Sequence, residues 1–424
     1  MLPIDFRYAP FATEVSRDTA GQTLWVLALI RGRLTIVQLQ FSTAETAHIR
    51  VKQVKTFGGI LDENRGIGPG FDLVRIGLAI LILIAHTGWI TAGVPLPSSE
   101  PSAGTASLNL SLLKRPFSEC LVPMFFALSG FLVTGSALRL RTVGKFMSAR
   151  LFRLVPALCV EVTLSALVLG PIYTGYPLTA YFTDPVFYRY FLNMFGFITF
   201  ELPGVFVDNP WPRIVNINLW TLPSEFYCYL FMCAALVSKL VMHRAWYSWA
   251  FAACFVVLVL LNAFDMIVSG FVGVAVEVLI YSFFVGVLFF MWRERIVYSW
   301  PLFLLCSLLT YAAMLDRHLY ILSCIPMTYV NVFVGLTKLP RIPLLTSGDY
   351  SYGLYLYGSP ISQALMASLP EFHGHRFLFA ALTPPLGIAF AAFSWHVIEK
   401  PALRLKGRRL VRGKARSLST AAPL

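Results

Sequence analysis

Apolar residues run through this chain in long blocks, not in short alternating stripes. About 20 consecutive apolar residues span the hydrocarbon core of a bilayer. Ten candidate stretches lie near 71–92, 118–138, 151–172, 219–240, 247–264, 270–292, 300–315, 319–336, 348–368 and 377–397. The weak ten-residue alternation of an outer-membrane barrel is absent. The pattern predicts an all-α polytopic membrane protein with about ten transmembrane helices. Basic residues set the orientation. The loops at 139–150, 239–245, 293–295 and 338–341 are rich in Lys and Arg, whereas only Lys114, Arg115, Arg189, Arg213, Arg317 and Arg376 fall on the other side. Both termini are therefore expected in the cytoplasm.

Residues 1–65 do not share the pattern. The apolar run at 24–30 is closed off by Arg31 and Arg33 and is too short to span. No cleavable signal pattern opens the chain, because Asp5 and Arg7 precede any apolar run. The expected organisation is an N-terminal cytoplasmic extension (1–65), a ten-helix membrane domain (66–400) and a basic cytoplasmic tail (401–424) lying against anionic lipid. The stretch 173–218 is poor in charge and rich in Tyr, Phe, Pro and Trp. It reads either as an interfacial aromatic belt or as a lid whose rings stack on sugars.

Composition agrees with a membrane protein: of 424 residues, 57% are hydrophobic and only 13% charged. The net charge of +13 does not point to nucleic acid, since the basic residues lie between and beyond the apolar blocks. Seven Cys show neither CxxC nor Cys/His zinc spacing, so neither disulfides nor a metal is expected. His373 and His375, in an outer loop, do not make a metal site either. Nothing in the sequence designates a protein partner.

Candidate chemistry starts in the first spanning stretch, GFDLVRIGLAILILIAHTGWI. Arg75 and His86 are eleven residues apart, which places them within roughly 20° of one another around a helix and about 16 Å apart along it. Ionisable groups inside a membrane are costly and are functional candidates by default; the plainer alternative is a snorkelling Arg and a His satisfied by a neighbouring helix. Glu225, in Asn218-Leu-Trp-Thr-Leu-Pro-Ser-Glu225, falls at a depth similar to that of His86, where a carboxylate can hold an imidazole as a base. Ser129 in PMFFALSGFL is either a mid-membrane packing residue or a nucleophile, though LSGF is not the elbow of a serine hydrolase. Arg150 and Arg153 stand one helical turn apart at the basic side, a spacing that suits a phosphate-bearing molecule or an ordinary anchor. Glu161 and Glu277 also fall within apolar stretches and remain unranked.

The ordered set Asp72/Arg75/His86, PMFFALSGFL, RLFRLVP, WTLPSEFY (220–227), SYGLYL (351–356) and VIEKP (397–401) resembles the membrane-bound acyltransferase family 3, the polysaccharide O-acetyltransferase type, over roughly 70–405. The resemblance implies ten core helices and a bacterial inner-membrane location. It also implies an acyl-CoA donor (acetyl-CoA is the expected one), no metal, and a saccharide or lipid-linked saccharide acceptor. His86 would be catalytic, as general base or acyl relay, with Glu225 and Arg75 beside it. Arg75, Arg150 and Arg153 would bind the donor, and Ser129, Trp220 and Tyr352 the substrate. One departure is visible: members commonly carry a His after the SYxxYL motif, where this chain has Tyr357 and Gly358. The alternative function is a secondary transporter of a small polar or anionic solute, although no internal repeat supports it.

Overall fold

The computed structural model describes residues 23–30, 33–41, 47–53, 55–93, 110–267, 273–340, 342–343 and 348–404. The tail beyond Arg404 and the loop at 94–109 lie outside them. Strands β1 (Thr23–Ile30), β2 (Arg33–Phe41) and β3 (Ala47–Gln53) form an antiparallel meander in which Ile36 pairs with Leu27 and Val37 with Val51. The apolar run too short to span is thus a strand. Its neighbour carries the β-branched Thr35, Ile36 and Val37, which suit a pleated surface.

From residue 57 the fold is helical. Helix α1 (Phe57–Glu63) docks on the membrane domain through backbone bonds Phe57 N to Ile296 O (3.0 Å) and Gly58 N to Arg293 O (2.8 Å). The bundle then comprises α2 (Phe71–Ala92), α3 (Leu110–Glu119), α4 (Leu121–Leu140), α5 (Val143–Leu164), α6 (Leu222–Val237) and α7 (Arg244–Ala263). It continues with α8 (Val276–Trp292), α9 (Trp300–Ala313), α10 (Tyr320–Leu336), α11 (Ser351–Ser368) and α12 (Arg376–Ser394).

Among the described residues seven helical stretches are long and apolar enough to cross a membrane: Phe71–Ala92, Leu113–Leu140, Val143–Tyr173, Ile217–Val237, Arg244–Ala263, Arg317–Leu336 and Arg376–Arg404. Helices α8 and α9 are apolar but shorter. Helix α11 buries Ser351, Ser359, Ser362 and Gln363. The outer faces support an integral, multi-pass protein. Val256, Val257 and Leu260 on α7, and Leu304, Leu305, Leu308 and Leu309 on α9, are exposed. Contiguous apolar faces of this kind need a covering, and lipid provides it.

Helix α2 is central, packed by α4, α10, α11 and α12. The closest crossing is between α4 and α8. A Cβ on Gly130 would strike the Phe283 carbonyl, and one on Gly286 the Ala127 carbonyl, so both positions need glycine for backbone approach. Ser129 stands beside that crossing.

The stretch 174–216 folds onto the end of the bundle away from the basic loops. Tyr181 donates to the Ala166 carbonyl (2.7 Å), and Tyr181, Phe182, Phe187 and Phe191 pack edge to face. Gln363 of α11 pins the later part, donating to the carbonyls of Trp211 (3.0 Å) and Ile214 (2.7 Å) and accepting from Asn209 (2.7 Å). Much of the aromatic content is therefore packing, although Tyr176, Tyr188, Phe195 and Phe197 remain exposed.

Candidate active site

Helix α2 presents one stripe to two openings. Arg75, Ile82, His86 and Trp89 are separated by seven, four and three residues, which keeps them within about 40° of Arg75 around the helix. Arg75 and Ile82 line a cavity of about 570 Å³ that opens at the basic end, between α2, α4, α5 and α6. Ile82, His86 and Trp89 line a much smaller depression together with Glu119, Val122 and Trp220. Ile82 and Val122 stand in the walls of both.

The cavity is basic at its mouth and apolar deeper in. Arg139, Arg150, Arg153 and Arg293 surround the entrance with Arg75, whereas Val122, Phe125, Phe126 and Leu132 line the interior. Arg150 donates to Ser136 Oγ (3.1 Å), and its Nε is buried without a partner. Its guanidinium also stands over the rings of Phe146 (5.8 Å) and Tyr229 (6.0 Å). Arg75 and Arg153 are tied differently. Arg75 Nη1 lies 3.0 Å from Asp349 Oδ2, Arg153 Nη1 lies 2.5 Å from the same oxygen, and Arg75 Nη2 donates to Ser351 Oγ (3.1 Å). Asp349 lies just before α11, outside the spanning segments. Burial alone raises its carboxyl, but the two guanidinium groups outweigh burial and hold it well below the usual carboxylate range.

Glu225 belongs to this cavity. Tyr229 donates to it, and Arg153, Arg150 and Arg75 are its electrostatic neighbours. Glu225 lines the basic cavity and not the depression that holds His86, so the structure does not form the expected Glu225–His86 pairing. The polar side chain beside the imidazole is Asn218. His86 is 1% exposed; among the described residues its Nδ1 and the Oδ1 of Asn218 are both buried without a well-formed hydrogen bond, although the Asn218 side chain is close enough to interact with the ring. The remaining substrate positions separate. Ser129 and Tyr352 line the basic-end cavity, with Tyr352 donating to the Leu154 carbonyl (3.0 Å). Trp220 lines the far depression with its indole N–H unpartnered.

Four residues that the sequence did not single out for these roles join the site: Asp349, Asn218, Glu119 and Trp89. Glu119 accepts a hydrogen bond from Tyr320, and the Trp89 ring lies 5.1 Å from the imidazole. Asn218 stands two residues before the WTLPSEFY motif (220–227); the others needed the tertiary structure. Glu161 lies elsewhere, on α5, where its Oε1 accepts from Asn216 (2.8 Å) and Ser165 (2.9 Å). Gly358 has a packing reason, since a Cβ there would come within 2.7 Å of Leu83 Cδ1 on α2. A side chain at this position would require the Leu83 methyl to shift.

A basic-mouthed cavity reaching toward a buried histidine is compatible with group transfer inside a membrane. The chain belongs to the acyltransferase 3 family, whose model, described as an acyltransferase domain, matches residues 69–398. It is similar to nodulation protein 10 of Rhizobium leguminosarum bv. viciae, with 29% identity over 387 residues covering 81% of this chain and 96% of the relative. It is also similar to an O-acetyl transferase of Shigella phage Sf6, with 25% identity over 353 residues covering 80% of this chain and 97% of that protein. No solved structure matches.

Proposed function

We propose that this protein is a membrane O-acetyltransferase that takes an acetyl group from cytoplasmic acetyl-CoA and places it on a hydroxyl of a cell-surface or lipid-linked saccharide. The observation that carries this reading is the pair of openings that share Ile82 and Val122, one walled by arginines and the other holding His86. The basic end faces the cytoplasm of a bacterial inner membrane, as the distribution of Lys and Arg supports. Helices α8, α9 and α11 cross the bilayer with the seven longer spans, giving ten crossings and placing both termini inside.

Donor and cavity match in chemistry. Arg150, with its unpartnered Nε, and the neighbouring Arg139 and Arg293 suit the phosphates, because a guanidinium presents forked donors to phosphate oxygens. The apolar interior suits the pantetheine arm and leads its thioester to the partition below His86. Asp349 holds Arg75 and Arg153 in place, so these two shape the mouth more than they grip the donor.

A thioester is already activated, so the enzyme needs to deprotonate the acceptor and stabilise an oxyanion. The His86 imidazole takes the proton of the acceptor hydroxyl as its oxygen attacks the thioester carbonyl. The carbon–sulfur bond then breaks, and the imidazolium returns the proton to the departing thiolate. An ester and coenzyme A result, with no net proton consumed. Acceptor contacts come from the far depression, where Trp89 and Trp220 offer ring faces and Glu119 a carboxylate.

Mass spectrometry of surface glycans from cells with and without the protein tests the reading. A 42-dalton increment, the mass of an added acetyl group, is expected only with it. Identical glycans in both would count against the activity. Acetyl-enzyme trapped with donor alone would replace the direct route by a relay through His86.

A further inference from the structure

The buried imidazole needs a defined tautomer to act as a base, and the structure holds a device that would set one. The segment preceding α6 is fixed by α5 and α11. Asn216 donates to Glu161 Oε1 (2.8 Å) and to the Leu356 carbonyl (2.9 Å), and its own Oδ1 accepts from Asn218 N (3.1 Å). Ser359 Oγ accepts from Ile217 N (3.1 Å). Asn218 Nδ2 donates to the Tyr355 carbonyl. One Nδ2 hydrogen of Asn218 is thereby committed and sets the plane of the carboxamide, and the Oδ1 is buried beside an imidazole whose Nδ1 is buried too, neither atom making a well-formed hydrogen bond among the described residues.

Two unpartnered buried atoms at one place are costly unless they meet, since an unsatisfied polar group loses its hydration without return. Hydrogen bonds of a catalytic site are often long or misaligned before substrate binds.

We infer that Asn218 is the positioning residue of His86: its Oδ1 accepts a hydrogen bond from Nδ1–H, which leaves Nε2 bare to take the acceptor proton. Glu161, through Asn216, holds Asn218 in that attitude. The inference rests on the proposed role of His86 as base. Asn218 is a neutral partner where other histidine bases have a carboxylate, so it orients the ring without adding charge inside the membrane. The other ionisable group at the depression is Glu119, whose Oε2 is taken by Tyr320.

The test is ¹⁵N NMR of the full-length, histidine-labelled protein in lipid nanodiscs at about pH 8, where an ordinary histidine is neutral. The chain has seven His, and the His86 signals are those missing from His86→Ala. Wild type is expected to show Nδ1 protonated and Nε2 bare, and Asn218→Leu to lose that preference while Glu119→Gln keeps it. In cells, at equal membrane abundance, Asn218→Leu is expected to lower glycan acetylation at least tenfold, with Asn218→Asp, which keeps an oxygen acceptor, recovering part of the loss. If the Leu variant does not fold, Asn218→Ser carries the same expectations. A bare Nδ1 in wild type, an unchanged tautomer in Asn218→Leu, or a shift only in Glu119→Gln overturns the inference. Full acetylation by His86→Ala would instead remove the role of the base, and the NMR result would stand apart from it.

Discussion

Arg153 and Asp349 meet at 2.5 Å, and the same carboxylate oxygen receives Arg75 at 3.0 Å. One anion, two positions before the start of α11, thereby joins α2 and α5. Two guanidinium groups held this close repel one another unless a carboxylate lies between them, and burial strengthens both the repulsion and its relief.

Asp349→Asn is therefore expected to lower stability in detergent by about 1–3 kcal/mol, less than a fully buried broken pair because these side chains retain some solvent contact. The sign of the pH dependence follows from the depressed carboxyl. Its stabilising contribution is complete above the ordinary Asp range, near 3.9, and is lost as pH falls below it. Melting of wild type from about pH 6 down to pH 3 should show that loss; the Asn variant should start lower and depend less on pH. Equal pH profiles for the two proteins would show that Asp349 carries no such linkage.

Arg150 is the entrance arginine with a buried, unpartnered nitrogen beside the cavity. Coenzyme A is expected to raise the melting temperature of wild type, as a ligand at about 100 times its Kd stabilises by roughly 2.7 kcal/mol. Arg150→Ala should lose most of that increase while melting normally without ligand. Arg150→Lys should keep only a fraction, since an ammonium cannot fork to phosphate oxygens. An undiminished response in Arg150→Ala would place the donor elsewhere.

Gly358→His, which inserts the residue common in the family, should destabilise instead of enhancing activity. The Cβ alone would meet Leu83 at 2.7 Å, and overpacking of this kind costs typically about 1–3 kcal/mol. Leu83→Ala is expected to relieve part of that cost. Expression and thermal melting of the single and double variants measure it.

Much of this fold was legible because helices in lipid satisfy their own backbone and must be apolar for long stretches. The Arg75–His86 stripe was legible for the same reason, as both residues lie on one helix with a fixed period. Asp349 was not: its partners are 274 residues away for Arg75 and on another helix for Arg153, and from the sequence it is one more polar residue before SYGLYL. Depth along a helix leaves its rotation open, and Glu225 faces the arginines. Asn218 precedes the WTLPSEFY motif, but a neutral amide gives no signal of cost in a membrane as a charged group does. The N-terminal strands were hidden because a run of seven or eight apolar residues fits a strand or a buried helix alike until pairing decides.

The central claim is that an imidazole within the bilayer serves as the base that moves an acetyl group from a donor on one side to an acceptor on the other. It is tested most directly in sealed inside-out membrane vesicles given ¹³C-acetyl-CoA, comparing wild type with His86→Ala at equal inserted amounts. Labelled acetyl is expected on saccharide in the wild-type vesicles and to fall at least 100-fold in the variant, since a general base contributes typically 10²–10⁴-fold. Undiminished labelling by His86→Ala would contradict the claim.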